Sequence, residues 1–277
     1  MCINFSPMIF TLLFGDNQHI LTSSQIRILG ISIHNLSIDE AVDIIRQRLD
    51  KRITTNICFV NANCCNVARR DLNYRNILND AEIVLPDGIG LQFAGQLLNS
   101  SKIFNSNGTD LFPHLCAAIN GTGKRLYLLG GHIGVAEQVK QWLEINFPKV
   151  KVCGFHHGYF SLTENARVIA AIREAKPDLL IVAMGVPYQE KWLATYGTTT
   201  GASVLMGVGG LFDFYSERIP RAPYWMRQRG MEWLYRLLQE PRRLWRRYLI
   251  GNLSFLFRVL WTVIISSKFF KQPESNS

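Results

Sequence analysis

The sequence predicts an α/β fold: a mostly parallel, Rossmann-like sheet with helices on both faces, followed by a basic helical C-terminal appendage. From Arg27 onward, short apolar runs alternate with amphipathic stretches of helical length, which is the pattern of strand–helix units in a parallel sheet. Several runs are apolar throughout, as strands covered on both faces are. After Gly210 the alternation stops and the chain becomes rich in arginine and aromatic residues.

The elements are predicted in order from these patterns. Strands are expected at 28–33, 57–61, 82–85, 126–129, 151–155, 179–184 and 203–208. The first helix begins after Ser37, which can form a capping box with Glu40. Further helices are expected near 65–79, 89–98, 109–120, 134–146, 163–175 and 188–196. Because ligands of such sheets bind beyond the carboxyl ends of the strands, a site is expected in the loops that follow them.

A chain of 277 residues with 48% apolar content can form one large α/β domain with an appendage. We divide it into a lead-in at 1–25, an α/β core at 26–215, a basic helical appendage at 216–248 and an apolar or amphipathic membrane-interface tail at 249–277. The six cysteines form no C-x-x-C pair, which favours a reducing compartment. The apolar stretch at 8–14 has no basic residue before it, so a signal peptide is not expected.

The excess positive charge is confined to the C-terminal part of the chain. Residues 218–271 hold twelve Lys or Arg against two acidic residues, a net charge of +10, whereas the whole chain carries +9. The remainder is therefore close to neutral. Such a segment is typical of a surface that meets an anionic partner, whether nucleic acid, acidic lipid headgroups or a diphosphate.

The apolar stretch at 248–266 carries Arg258 near its middle. An arginine at that depth costs a few kcal/mol in a membrane span even on lenient scales. The pattern favours an amphipathic tail that lies on an anionic membrane surface. A true span stays open, as does a helix packed on the body or on another subunit of a homo-oligomer. The Leu, Phe and Ile content suits lipid better than RNA, so no nucleic-acid partner is expected.

Two polar loops follow neighbouring predicted strands. Asn61 and Asn63 offer amides that can hold sugar hydroxyls or a uracil edge, although asparagine in such a turn is also a common structural cap. Asp87, followed by Gly88, stands where a carboxylate could take a proton from an incoming hydroxyl. The alternative for Asp87 is an N-cap of the next helix.

Gly130 and Gly131 form a turn between a strand and a helix. Backbone N–H groups at a helix start suit a phosphate, and tight helix–strand packing is the alternative. The string is not G-x-G-x-x-G, and no acidic residue ends the next strand. A dinucleotide cofactor is therefore disfavoured, and no cofactor is expected.

The turn from Gly185 leads into a helix whose first turn holds Pro187. Gln189 and Glu190 follow at once and are expected to point into the strand-end cleft, where they could bind a nucleoside or a sugar. Glu190 could instead be only a partner of the helix dipole.

Three glycines at 207–210, including Gly209 and Gly210, suggest close approach of the backbone to a ligand. Arg218 and Arg221 follow and could bind diphosphate oxygens. The chain contains no D-x-D string, which many UDP-sugar transferases use to hold a divalent metal. Arginines and helix N-termini would have to take the place of the metal, and no metal site is expected.

Together these strings resemble the WecG/TagA/CpsF family of bacterial glycosyltransferases over about residues 28–248. The most specific parts are PDGIG at 86–90, GTD at 108–110, GVPYQEKW at 185–192, GVGGLFDF at 207–214, RAPYW at 221–225, GMEWLYRL at 230–237 and EPRR at 240–243. Each string is ordinary alone, but this order of all of them is very improbable by chance.

The resemblance implies an inverting, metal-independent transferase at the cytoplasmic face of the membrane, bound peripherally. It would move N-acetylmannosamine or a related sugar from a UDP-sugar donor onto a polyprenyl-diphosphate-linked acceptor. Such products enter teichoic acid linkage units, capsule and related cell-envelope polysaccharides. A non-catalytic membrane-surface protein with a nucleotide-binding-like fold is the alternative.

The resemblance also assigns roles to residues. Asp87 aligns with the proposed catalytic base, and Asn61, Asn63 and Gln189 fall in the polar substrate-binding strings. Many members have an arginine where this chain has Asn105, so either another cation, such as Arg218 or Arg221, holds the diphosphate here or the substrate differs. The remaining expected substrate-binding residues are Asp110 and Asp213, and the expected diphosphate or membrane contacts are Arg218, Arg221, Arg236, Arg242, Arg243, Arg246 and Arg247.

Overall fold

The computed structural model describes Leu21, residues 24–99 and residues 101–269, so most of the predicted lead-in lies outside the described residues. Six strands form one parallel sheet in the order β4-β3-β8-β7-β5-β6. Its strands are β3 (Thr55–Val60), β4 (Ile83–Pro86), β5 (Arg125–Gly130), β6 (Lys151–His156), β7 (Leu179–Ala183) and β8 (Val204–Gly207). The predicted parallel sheet is confirmed.

Helices cover both faces of this sheet. In chain order they are α1 (Ile38–Lys51), α2 (Ala62–Arg70), α3 (Leu72–Asp80), α4 (Ile89–Asn99), α5 (Gly108–Ile119), α6 (Val135–Asn146), α7 (Leu162–Glu174), α8 (Tyr188–Tyr196) and α9 (Leu211–Tyr215). One face packs on α1, α5, α6 and α9. The other packs on α2, α3 and α4 at the β3–β4 end and on α7 and α8 at the β5–β7 end. The expected capping box of Ser37 and Glu40 opens α1.

The strand predicted at 28–33 is wrong. The segment is an antiparallel hairpin of β1 (Gln25–Ile28) and β2 (Ile31–His34), separate from the main sheet. Leu29 and Gly30 turn it, both with positive φ, which is the backbone that a two-residue hairpin turn requires. The hairpin supports the edge of the sheet, because Nδ1 of His34 accepts a hydrogen bond of 3.0 Å from the N–H of Val84 in β4. Burial lowers the pKa of His34, which keeps this acceptor neutral.

The single helix predicted at 65–79 is also wrong, because Asp71 divides it. α2 ends at Arg70, and the carboxylate of Asp71 accepts a hydrogen bond from the N–H of Tyr74 at the start of α3. An aspartate N-cap satisfies an orphan donor of the new helix. Apolar residues recur at helical spacing on both sides of the break, at Ala68 and Leu72, so periodicity alone did not reveal it.

The C-terminal appendage is helical, as expected, but it is broken into short pieces. It contains α10 (Tyr224–Gln228), α11 (Glu232–Gln239), α12 (Pro241–Trp245), a π-helical turn at Arg246–Ile250 and the long helix α13 (Gly251–Phe269). Breaks occur at Gly230, with φ +67°, and at Pro241, where glycine permits the turn and proline cannot continue a helix. The run Pro241–Ile265 is long and apolar enough to cross a membrane by length and composition.

α13 packs on the body along one face. Phe255 and Val259 are 3% and 0% exposed in the core beneath α2 and α4. The guanidinium of Arg258 donates to the side chain of Asn66 and to the carbonyl of Cys65, so its charge is turned inward. The amide of Asn66 also donates to the carbonyl of Gly251 at 2.8 Å. The inner face of α13 therefore matches the alternative of a helix packed on the body of the protein.

The opposite face of α13 is apolar and exposed. Leu253, Phe257 and Trp261 are 69%, 65% and 55% exposed, and the rings of Phe257 and Trp261 stack with centroids 6.1 Å apart. A contiguous exposed apolar surface of this kind marks a contact with a membrane or another protein. One helix thus presents a fixed inner face and an unpartnered outer face.

The change Asn66→Ala tests how α13 is held. It removes the donor to Gly251 and the acceptor for Arg258, and it leaves a partly buried guanidinium short of a partner. We expect a loss of roughly 1–3 kcal/mol in the free energy of unfolding and faster proteolysis within α13. The control is Asn73→Ala in α3, an exposed asparagine, which should change stability by less than about 0.5 kcal/mol. Equal effects of the two changes in urea unfolding would contradict this account.

Candidate active site

Because all six strands of the sheet run parallel, the loops after them meet at one edge. The loops after β3, β4 and β8 lie there beside α5, and the appendage covers them. Two adjoining cavities result: a polar cavity of about 660 Å³ and an apolar cavity of about 490 Å³. The residues that line both, and so form their junction, are Asn61, Asp87, Thr109, Phe214, Arg236 and Arg247.

Asp87 stands at this junction. Its carboxylate accepts a hydrogen bond of 3.1 Å from Nδ2 of Asn61, and not from the first turn of α4 as an N-cap would. Burial raises the pKa of Asp87, and the negative charge of Glu232 adds to the rise, while the Asn61 hydrogen bond and the charges of Arg247 and Arg236 oppose it. A carboxylate whose pKa moves toward neutrality is suited to accept a proton.

Two asparagines fix the loops on either side of Asp87. Oδ1 of Asn61 accepts hydrogen bonds from the N–H groups of Asn63 and Cys64, which caps α2. Asn61 therefore caps α2 with its oxygen, as the structural alternative predicted, while its nitrogen donates to Asp87. Oδ1 of Asn105 accepts a 2.7 Å hydrogen bond from the N–H of Gly88. The residue that replaces an arginine thus holds the Asp87 loop.

Gln189 ties together the loops after β7 and β8. Its Oε1 accepts from the N–H of Gly185 at 3.1 Å and from the N–H of Gly209 at 2.9 Å, and its Nε2 donates to Glu190 at 2.8 Å. Gln189 is 2% exposed and Glu190 is 0% exposed. Gln189 still lines the polar cavity, whereas Glu190 lines neither cavity, so the prediction that Glu190 points into the cleft is wrong. Pro187 precedes α8 as its N-cap residue.

Burial raises the pKa of Glu190 to about 7. One carboxyl oxygen, Oε1, accepts from Gln189, and Oε2 has no hydrogen-bond partner among the described residues. An ionised carboxylate in such surroundings would lose its hydration without full compensation. The neutral acid is therefore favoured, and it orients the amide of Gln189.

The predicted glycines divide into packing and cavity positions. A Cβ at Gly130 would lie 2.3 Å from the carbonyl oxygen of Ala183, so this glycine lets two neighbouring strand ends meet, which differs from the helix–strand packing named as the alternative. Gly131 lines the polar cavity. A Cβ at Gly210 would lie 3.2 Å from Nη2 of Arg236. Gly210 therefore leaves room for that guanidinium over the strand end.

Two arginines at the junction are free of carboxylate partners. Among the described residues, Arg236 and Arg247 form no ion pair, and the buried Nε of each has no hydrogen-bond partner. The guanidinium of Arg236 lies over the ring of Phe214, 5.0 Å from its centroid. Two unpaired guanidinium groups that line the same two cavities suit a ligand with several anionic oxygens.

The other predicted arginines do different things. Arg221 bridges Asp110 at 2.9 Å and Glu232 at 3.4 Å, which joins α5 to α11. Arg218 pairs with Asp213 at 3.0 Å, and Arg243 pairs with Glu240 at 2.5 Å; both arginines and Asp213 line the polar cavity. Arg242 and Arg246 are exposed and line neither cavity.

Several side chains at the site were not predicted. Tyr159, which stacks on His132 with centroids 4.4 Å apart, and Tyr188 line the polar cavity. Trp233 and Phe255 line the apolar one. Trp233 could have been identified from its place in the GMEWLYRL string, and His132 from its place in the glycine-rich turn after β5. No local sequence pattern identified Phe255 as a site residue, since its helix contains many other apolar residues. No three His, Cys, Asp or Glu side chains converge as a metal-binding group in the described part of the chain.

Comparison with known proteins gives consistent matches. A family model described as "Glycosyl transferase WecG/TagA/CpsF family" matches residues 26–268. An N-acetylglucosaminyldiphosphoundecaprenol N-acetyl-beta-D-mannosaminyltransferase of Bacillus subtilis (strain 168) is 30% identical over 251 residues, which cover 88% of this chain and 96% of that protein. The protein of the same name from Staphylococcus aureus (strain MW2) is 30% identical over 226 residues, 81% of this chain and 88% of that protein.

The change Glu190→Gln tests whether this carboxyl is neutral in the folded protein. Its folded pKa of about 7 lies above its ordinary value of 4.5, so the folded state binds more protons between these values. Wild-type stability should fall as pH rises through that window, by roughly 2–4 kcal/mol in total. The substituted amide keeps an acceptor for Gln189 and removes the titrating proton. Free energies of unfolding are measured by urea titration at pH values between 4.5 and 8. The free energy of the variant minus that of the wild type should rise by that amount over this range.

Glu164→Gln provides a control of opposite sign. Hydrogen bonds from Ser161 lower the pKa of Glu164, so its contribution is present above its ordinary pKa and is lost as pH falls. Relative to this variant, the wild type should gain stability only as pH rises toward about 4.5, the ordinary pKa of the group, so this control is titrated at acidic pH and should stay flat from pH 5 to 8. Parallel profiles for Glu190→Gln and the wild type would show that Glu190 is ionised in the folded protein.

Proposed function

Because the chain belongs to the WecG/TagA/CpsF family of glycosyl transferases, we propose that it transfers N-acetylmannosamine or a related sugar from a UDP-sugar to a polyprenyl-diphosphate-linked sugar. The observation that carries this proposal is the position of Asp87, at the junction of a polar and an apolar cavity. A donor that is polar throughout suits the first cavity. An acceptor that joins a sugar diphosphate to a lipid suits the second.

On the donor side, the uridine would lie near Gly131 and the 185–189 loop. Tyr159, 65% exposed, and Tyr188, 46% exposed, offer flat faces on which a uracil ring can stack. Gln189 would act by fixing the loops rather than by touching the base, since its oxygen already accepts from two backbone amides. Asp213 lines the same cavity and offers an acceptor for ribose hydroxyls.

The donor diphosphate would meet Arg236 and Arg247. Their unpartnered Nε groups and lack of carboxylate partners among the described residues leave both charges available at the junction. Negative charge grows on the diphosphate as the glycosidic bond breaks, and a well-placed donor contributes roughly 3–4 kcal/mol to stabilising it. These guanidinium groups would supply the positive charge that a divalent metal supplies elsewhere, which makes the reaction metal-independent.

The proposed reaction is a single displacement. Asp87 removes the proton from the acceptor hydroxyl as that oxygen forms a bond to the anomeric carbon. The bond from that carbon to the diphosphate oxygen breaks on the opposite face, and its electron pair leaves with UDP. The configuration inverts. The hydrogen bond from Asn61 holds the carboxylate in place, and Glu232 and burial keep its basicity high.

The apolar outer face of α13 supports a peripheral position on the membrane. Leu253 and Phe257 of α13 and Leu249 and Ile250 of the preceding π-helical turn are between 47% and 69% exposed, and Arg246 and Arg247 belong to the same turn. Apolar insertion combined with basic residues, each worth about 1 kcal/mol near an anionic surface, would hold the enzyme where a lipid acceptor diffuses. The relatives' names place a polyprenol on their acceptor, which fits this location at the cytoplasmic face.

A donor screen tests the function. Purified protein is given UDP-N-acetylmannosamine, UDP-N-acetylglucosamine, UDP-glucose or UDP-glucuronate with N-acetylglucosaminyl-diphospho-prenol, and products are analysed by mass spectrometry. We expect transfer of one N-acetylhexosamine with inversion, unaffected by a chelator of divalent metals. Release of no UDP from any donor would favour the non-catalytic alternative.

Asp87→Asn tests the assigned base. Turnover should fall at least about 100-fold, because the amide cannot take the proton, while UDP binding measured by calorimetry is retained. Asp43→Asn on the exposed face of α1 is the matched control and should turn over like the wild type. Near-normal turnover of Asp87→Asn would remove Asp87 from the catalytic role.

A further inference from the structure

The apolar cavity is a groove between two helices of different parts of the chain. Its inner end reaches Asp87 and Asn63, and its walls are Ile89 and Phe93 of α4 on one side and Leu256 of α13 on the other. Phe255 closes it from below and is itself buried. The groove therefore leads away from the reaction centre over mostly apolar side chains.

The helices approach closely enough to form a groove rather than an open cleft. A Cβ placed on Gly90 would lie 3.7 Å from the ring of Phe255, so α4 and α13 touch there. Ile89 and Phe93, one turn apart on α4, nevertheless stay 45% and 48% exposed. Large apolar side chains that converge on one groove and stay uncovered there indicate an apolar ligand.

The groove also continues into the proposed membrane-facing surface. α13 contributes Asn252, Phe255 and Leu256 to the cavity, and the next residues around the same helix, Leu253 and Phe257, are exposed on its outer face. The groove and the exposed apolar face are therefore neighbours on one helix, with Leu256 in the groove next to Phe257 on the outer face. A sugar alone would not need an apolar surface of this kind.

We propose that this groove between α4 and α13 binds the first isoprene units of the lipid acceptor. The proposal rests on the proposed function, which places the acceptor sugar at Asp87. Arg227, whose guanidinium is 3.7 Å from the carboxylate of Asp110, also lines this cavity and gives the acceptor diphosphate a cation on the way from the sugar to the chain. The enzyme then recognises the isoprene chain of the acceptor as well as its sugar-diphosphate head.

Chain recognition is tested with two acceptors that share the N-acetylglucosaminyl diphosphate head and carry either a farnesyl chain or a methyl group. In detergent solution the wild type should prefer the farnesyl acceptor in kcat/KM. Phe93→Asn and Leu256→Asn should each lower this preference on the order of tenfold, because an apolar contact with the chain is lost. Leu253→Asn, on the outer face of α13, should keep the preference while it weakens binding to anionic vesicles.

A wild type that uses both acceptors equally, or groove variants that keep the full preference, would overturn the proposal. Failure of the proposed function is recognised separately, since no donor would then be used with either acceptor. Binding is therefore also measured without turnover, by crosslinking a farnesyl diphosphate with a photoreactive group in its chain and mapping the adducts. Adducts at Ile89, Phe93 and Leu256 support the groove.

Adducts confined to Leu253, Phe257 and Trp261 would overturn it, because the chain would then stay on the outer surface. Labelling of the groove only after removal of residues 1–20 would also overturn it, since the groove would then belong to the chain's own apolar N-terminal stretch. Labelling that needs two copies of the chain in one complex would assign the groove to a homo-oligomer contact and would count against the lipid.

Discussion

The site depends on one ion-pair bridge, in which Arg221 contacts Asp110 at 2.9 Å and Glu232 at 3.4 Å. Asp110 belongs to the core and Glu232 to the appendage, and Arg227 of the appendage also contacts Asp110 at 3.7 Å, so this cluster links α11 to the core beside the strand ends. It is partly buried, and breaking such a pair leaves a charge short of its partner, which is more costly than the pair is stabilising. With α11 in place, Arg236 lies over Gly210 and Trp233 lines the apolar cavity.

Ion pairing of this kind divides the arginines of the strongly basic segment into two groups. Arginines that pair with a carboxylate, such as Arg218 with Asp213, shape the protein around the cavities. Arg236 and Arg247 have no such partner among the described residues and face the junction. Because paired guanidinium groups are partly neutralised, the unpaired ones determine where an anionic ligand is held.

A second division concerns the two faces of α13. Arg258 would be costly in a bilayer, yet here it is held by Asn66 and the carbonyl of Cys65 on the inner side. This inward contact removes the charge from the outer face, which is left apolar. The same helix forms a wall of the cavity beside Asp87. Attachment to a membrane and access to the reaction centre are therefore linked through one rigid element.

The sequence by itself determined the parallel sheet and the strand-end loops, because fully apolar runs between amphipathic helices are compatible with few other arrangements. It also placed Asp87, Asn61 and Gly210 at one edge, since the carboxyl ends of parallel strands lie together. These inferences depend on local periodicity and on topology, which are both written along the chain.

Residues of similar chemistry that are neighbours in the sequence take different roles, and tertiary packing sets these roles. Glu190 and Gln189 are adjacent at a helix start, yet Gln189 lines the polar cavity while Glu190 is fully buried and lines neither cavity. Arg246 and Arg247 are neighbours, yet only Arg247 reaches the cavities. The breaks at Gly230 and Pro241 set the direction of each short helix. The direction of a side chain at these positions depends on long-range packing, which composition and residue spacing do not specify.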